Sequence, residues 1–133
     1  MKYVCFGYFD EEAWTAMPES EQQRFMDECF AYEDVLRENF QSILGGEALQ
    51  TVRNAKTLRF RNGKVMITDG PYAETKEQIG GFFSFEARDM DEALRLLSSH
   101  PGLKAGPFEI RPVEDMTEMI RESERRRSKT NRT

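Results

Sequence analysis

KYVCFGYF, residues 2–9, is aromatic or β-branched at most positions. That is strand composition, and Gly7 inside it suits a central strand closely approached by another backbone. Successive strand side chains point to opposite faces, so Tyr3, Cys5 and Phe9 share one side while Val4, Phe6 and Tyr8 share the other. FFSFEA, residues 82–87, repeats the pattern with Phe83 and Phe85 opposite Phe82. Both sides of the sheet are therefore apolar, whereas an antiparallel sheet with one wet face shows polar residues on it. Two helices cover one side only. Leaving Tyr3, Phe9, Phe83 and Phe85 bare would forfeit roughly 1.5–3 kcal/mol each, against a net stability of about 5–15 kcal/mol. The expected cover is a second copy packed sheet to sheet about a twofold axis, a homodimer. The alternative is a C-terminal segment folded back through Met116, Met119 and Ile120.

Outward from the first strand, Phe25, Cys29, Tyr32, Leu36 and Phe40 recur at steps of three and four, which predicts one long helix over residues 18–40. Pro18 suits its first position, and Glu19 and Glu21 suit the positive end of its dipole. Residues 43–49, with Gly45 and Gly46, read as an irregular or edge strand. KTLRFRNGKVMIT, residues 56–68, sets Asn62-Gly63 between two alternating runs and predicts a β-hairpin. Leu58 and Phe60 match Val65 and Ile67 on one face, with Arg59, Arg61, Lys64 and Met66 on the other.

Residues 69–72 form a turn cluster, residues 74–78 a charged ordered loop, and Gly80-Gly81 lead into the strand at 82–87. Asp89 with Glu92 makes a capping box for a second helix, whose apolar face carries Ala93, Leu94 and Leu97 and which ends at Pro101-Gly102. A last strand spans 108–113. A short helix follows, and residues beyond Ser123 are expected to be mobile. Strand, helix, hairpin, strand, helix, strand is the order of an α+β ferredoxin-like sandwich. The domain is taken as residues 1–113, with 114–133 a separate tail.

At 133 residues the chain suits one domain with a core of its own. Cys5 and Cys29 lack CxxC spacing and the chain holds a single histidine, so no zinc site is expected and both thiols read as buried apolar groups. No cofactor is expected. Without a signal peptide or an apolar run long enough to span a bilayer, the chain reads as cytoplasmic. Its net charge of −5 argues against general nucleic-acid binding by the domain itself. The basic residues from Arg125 to Arg132 could touch nucleic acid or an acidic partner, or serve solubility alone.

DGPYAETKEQIGG, residues 69–81, resembles the DGPFAETKEQLGG signature of the DGPFAETKE branch of the YCII-related family, departing at Tyr72 and Ile79. The surroundings agree: MKY at the start, EEAW after the first strand, NGKVMITDGP through the hairpin, EARDMDEAL and FEIRPV. The resemblance implies a ferredoxin-like fold forming a dimeric α+β barrel. It also implies a cleft in which an Asp and a His act as an acid/base pair, with Asp69 in the place of that Asp. No histidine lies in residues 2–9 or 18–40, and the sole one, His100, follows the second helix. Relatives are often encoded beside extracytoplasmic-function sigma factors, which implies a second reading as a non-catalytic regulatory or interaction module.

The candidate site is accordingly a small-molecule cleft around Asp69, the candidate base, with Tyr72, Glu74, Lys76 and Arg111 as ligand contacts. Each has a plainer role. Asp69 can accept backbone N–H bonds as an Asx-turn residue, and Tyr72 can anchor its loop against the core. The charged groups Glu74, Lys76, Glu77 and Arg111, with Arg59 and Arg61, can simply face water. His100 suits a helix end favoured by the dipole.

Overall fold

The computed structural model of the chain describes residues 1–40 and 43–131, so Arg132 lies outside it, as does the side chain of Phe40. The first strand, β1 (Lys2–Asp10), runs directly into a short helix, α1 (Glu11–Ala16). α1 is an addition to the expected elements. Its N-terminus is capped by Asp10, whose carboxylate accepts the N–H groups of Glu12 and Ala13 at 3.0 and 3.3 Å. The long helix α2 (Glu19–Phe40) begins one residue after Pro18 and presents the expected stripe. Cys29 and Leu36 are buried, with Phe25 and Tyr32 partly so.

After α2 come β2 (Ile43–Ala48), β3 (Lys56–Arg61), β4 (Lys64–Asp69), β5 (Glu77–Glu86), α3 (Met90–Leu97), β6 (Phe108–Pro112) and α4 (Thr117–Asn131). The main sheet has four strands in the order β2-β5-β1-β6. β1 is antiparallel to β5 and β6, and β2 to β5. That is a split β-α-β arrangement on an antiparallel sheet. The expected order counted the 56–68 hairpin into this sheet. Instead β3 and β4 form a two-stranded sheet of their own, and the weak 43–49 segment supplies the fourth strand. Gly46 allows it: a Cβ there would fall 2.4 Å from the carbonyl oxygen of Phe82 and 2.5 Å from Cβ of Phe83. Gly7, by contrast, has ordinary room, the nearest atom to its Cβ position being the Phe108 ring at 3.5 Å. The irregularity there is a register shift between Gly7 and Tyr8. β5 also begins earlier than expected, taking in Glu77 and Gln78.

Pairing sets the two faces. Tyr3 lies opposite Phe85, and Cys5 opposite Phe83 and Ile110. With Leu36 of α2 and Ala93, Leu96 and Leu97 of α3, Tyr3, Cys5 and Phe85 make the buried core. Leu96 takes the place expected of Leu94, which is half exposed. The face read as open, with Tyr3, Phe83 and Phe85, is thus the one the helices cover. The other carries Val4, Phe6 and Phe82, mixed with Ser84, Glu109 and Arg111. It is less apolar than alternation suggested.

The hairpin has the predicted turn, with Asn62 at φ 52° and Gly63 at φ 75°. It also has the predicted pairing of Leu58 with Ile67 and Phe60 with Val65. These four side chains are 64–74% exposed. The stem is tied down through Glu11, whose carboxylate accepts from Thr51 Oγ1 at 2.8 Å and from the Val52 N–H at 2.9 Å. The C-terminal segment leaves the sheet uncovered, since Met116, Met119 and Ile120 are exposed and α4 continues past Ser123 to Asn131.

Both cysteines are free and buried. Burial first, and then the nearby Glu33 carboxylate, raises the thiol of Cys5 from 9.0 to about 12 and that of Cys29 from 9.0 to about 11. Above pH about 9 the unfolded chain releases these protons while the folded chain keeps them, so unfolding gains. Stability to urea is expected to hold level below that pH and to fall as pH rises toward about 12. Cys5→Ala should flatten the decline, and an equal decline in that variant would show that the thiol plays no part. Both thiols are expected to react with an aromatic disulfide reagent only on unfolding.

Candidate functional site

His100 follows α3 and caps a single 3-10 turn, Pro101–Lys104. It is 5% exposed, the only polar or charged side chain among the buried described residues. Aromatic rings box it: Tyr32 and Phe108 stand edge-on at 5.3 and 5.1 Å between centroids, and Phe83 is stacked at 6.3 Å. A buried imidazole needs hydrogen-bond partners. Nδ1 accepts the N–H of Gly102 at 2.9 Å, and Nε2 faces Oε1 of Glu33 at 3.3 Å. With Nδ1 committed as acceptor, the ring proton sits on Nε2 and is donated to the carboxylate. A dipole-favoured helix end was the expected role; the ring is instead a buried link between α2 and the turn after α3.

Glu33 lies inside the apolar stripe of α2, four residues after Cys29 and three before Leu36. Its Oε2 has no hydrogen-bond partner among the described residues. One turn on, Arg37 shares its helix face and bonds Asp34 at 3.2 Å. Glu33, Arg37 and His100 all line a half-open cavity of about 590 Å³. Trp14, Phe25, Met26, Phe30, Leu44 and Phe108 supply much of its apolar wall, and glycine backbone of β2 and β5 another side. Its volume is in the range of small-molecule sites. Tyr32 braces this wall, its hydroxyl donating to the Leu96 carbonyl.

None of the five residues expected to form the site lines this cavity. Asp69 ends β4 with its side chain 85% exposed and ion-paired to Lys56. Among the described residues its carboxylate accepts no backbone N–H, so the Asx-turn role is not taken there either. Tyr72 is 80% exposed and holds its loop not against the core but under the Arg59 guanidinium, 5.5 Å above its ring. Glu74 is exposed and has no charged partner among the described residues. Lys76 reaches Asp10 at 3.7 Å and borders a shallower hollow with Tyr8, Thr75 and Glu109. Arg111 pairs with Glu109 on the open face of the sheet. The one signal in the sequence for the cavity's polar end was a carboxylate, Glu33, standing within a buried helical stripe.

A profile of the YCII-related domain matches residues 1–117. The chain belongs to the YCII-related family. It is 33% identical over 117 residues to an uncharacterised protein of Rhizobium meliloti (strain 1021), a match covering 85% of this chain and 92% of that one. The DGPFAETKE branch, which residues 69–81 resemble, is part of the same YCII-related family. Among solved structures, 5-chloro-2-hydroxyhydroquinone dehydrochlorinase from Burkholderia phenoliruptrix AC1100, in complex with 2,5-dihydroxybenzoquinone, is similar at 20% identity and TM-score 0.45. That likeness covers 86% of this chain and 94% of that one. No described helix is long and apolar enough to cross a membrane.

Gly102 keeps His100 in place in this YCII-related chain. A Cβ there would lie 2.8 Å from the Phe108 ring and 3.0 Å from His100 Nδ1, whereas at Gly45 nothing stands within 4 Å. Gly102→Ala is expected to cost about 1–3 kcal/mol by overpacking. Gly45→Ala should change stability by less than about 0.5 kcal/mol. Urea unfolding of the two variants checks the contrast.

Proposed function

We propose that the protein binds a ring-sized, mainly apolar small molecule in the cavity between α2 and the edge of the sheet, with Glu33 as the proton acceptor at its polar end. The observation that carries this reading is a carboxylate whose one oxygen is fixed by a buried histidine and whose other oxygen has no partner among the described residues, at the wall of a mainly apolar cavity. A group held in one position by a locked partner is suited to take a proton from a bound hydroxyl. The Arg37 guanidinium, with donors beyond those used by Asp34, supports the same reading, because it can receive the oxyanion formed. His100 acts as a positioning residue, since its Nε2 proton is turned to Glu33. The membership in the YCII-related family is compatible with acid/base chemistry at this site. A non-catalytic interaction module is the second reading, favoured by the exposed apolar hairpin.

Trp14, the chain's single tryptophan, lines the cavity and reports on its filling. A panel of simple phenols and their methyl ethers is expected to shift Trp14 emission saturably. In Glu33→Gln the phenols should lose about tenfold or more in affinity while the ethers keep theirs, the difference being one hydrogen bond to a charged acceptor. Absence of any saturable shift, or equal loss for phenols and ethers, would contradict the reading.

A further inference from the structure

The α2 residues that line the cavity follow one another in a chemical order. Met26, Phe30, Glu33 and Arg37 stand at steps of four, three and four, so they share one face of the helix. Read toward the C-terminus, that face is apolar, then a hydrogen-bond acceptor, then a cation. The acceptor is set into the wall and the cation stands at the rim, their side chains being 25% and 52% exposed.

Arg37 is the only cation among the described residues that line the cavity. Helical side chains lean toward the N-terminus, and its Nη1 donates to Oδ1 of Asp34 at 3.2 Å. The guanidinium has thus come back to the level of the residue next to Glu33. Asp34 takes one N–H group in an exposed pair, a weak contact open to exchange, and leaves the rest of the fork. A guanidinium fork matches a carboxylate through two parallel N–H···O bonds. One cation balances one negative charge, so the second charge of a phosphate ester would stand uncompensated beside Glu33 and Asp34. At the rim an anion also keeps part of its water, which limits the cost of taking it up.

We infer that the cavity takes a ring-bearing 2-hydroxy acid, a monoanion whose hydroxyl-bearing carbon also carries a carboxylate. The ring lies against Met26 and Phe30, the hydroxyl donates to Glu33, and Arg37 grips the carboxylate. The two polar groups are neighbours because the fork of Arg37 stands beside Glu33 and not a full turn beyond it. Arg37 thereby sets the preference for an anion. This class rests on the reading of Glu33 and the cavity as the ligand site, and adds a carboxylate to it.

Three matched ligands separate the contributions: benzyl alcohol carries the ring and the hydroxyl, phenylacetate the ring and the carboxylate, and mandelate all three. Binding to the full chain is read from the emission of Trp14, which lines the cavity. Mandelate is expected to bind about tenfold or more tighter than benzyl alcohol, the gain typical of hydrogen bonds between charged groups. Arg37→Gln should erase that gain and leave benzyl alcohol as it was. Arg37→Lys, which keeps the charge without the fork, should recover only part of it. Glu33→Gln should weaken benzyl alcohol and leave phenylacetate as tight or tighter, since a like charge is removed. Far-ultraviolet circular dichroism checks that each variant is folded. Mandelate no tighter than benzyl alcohol, or an Arg37→Gln chain that loses both ligands alike, would overturn the 2-hydroxy acid while leaving the cavity reading in place. Phenylacetate as tight as mandelate would overturn it too, because the hydroxyl would then add nothing. No saturable shift with any of the three would overturn both readings together.

Discussion

The pairing of Tyr3 with Phe85 and of Cys5 with Phe83 fixes everything else in the molecule. Those side chains point to one side of the sheet, and α2 and α3 bury them through Leu36, Ala93, Leu96 and Leu97. A slip of one residue in this register would turn either Val4 and Phe6 or Ser84 and Phe82 toward the helices and break up the Tyr3, Cys5, Phe83 and Phe85 set. Once the register is set, the two helices have their footing. The turn after α3 then brings His100 against Phe83 and Phe108, within reach of Glu33 on α2. The polar end of the cavity follows from the apolar packing beneath it.

His100 gains its role from a constraint that an exposed histidine would not feel. Boxed by three rings, its nitrogens have, among the described residues, only the Gly102 N–H and the Glu33 carboxylate for partners. Leaving either nitrogen unpaired there would cost about 1–3 kcal/mol. That requirement orders the 3-10 turn, ties it to α2 and leaves the other Glu33 oxygen without a hydrogen-bond partner among the described residues. The same helix that closes the core thus carries the carboxylate at the cavity wall. Core packing and the cavity wall share one stripe of α2, with Cys29, Tyr32, Glu33 and Leu36 as its consecutive positions.

Local signals in the sequence suffice where local physics decides. Asn62-Gly63 supplies the two positive φ angles of a tight hairpin, Asp89 with Glu92 caps α3, and the stripe of α2 repeats at the helical period. What escaped depends on tertiary placement. Alternation in β1 and β5 identifies two apolar sides without saying which the helices take, and the choice came out opposite to expectation. The hairpin's pattern fits a strand in any sheet, so nothing local told that residues 43–48 would occupy its slot. Their enabling feature, a glycine at 46 beneath Phe82 and Phe83, becomes visible only when β5 is alongside. Asp69 drew attention through a family motif, while its neighbour across the hairpin, Lys56, holds it in solvent. Glu33 was visible as a charge in an apolar stripe, but its partner is 67 residues away.

With a single histidine in the chain, a nitrogen-15 spectrum of the imidazole gives the most direct measurement. At neutral pH the two ring nitrogens should report one fixed form, protonated at Nε2 and bare at Nδ1, with Nε2–H exchange slow and becoming faster in Glu33→Gln. A ring averaging between both forms like a solvated imidazole, or protonated at Nδ1, would contradict the claim that the core carries a locked His100–Glu33 pair at the cavity wall.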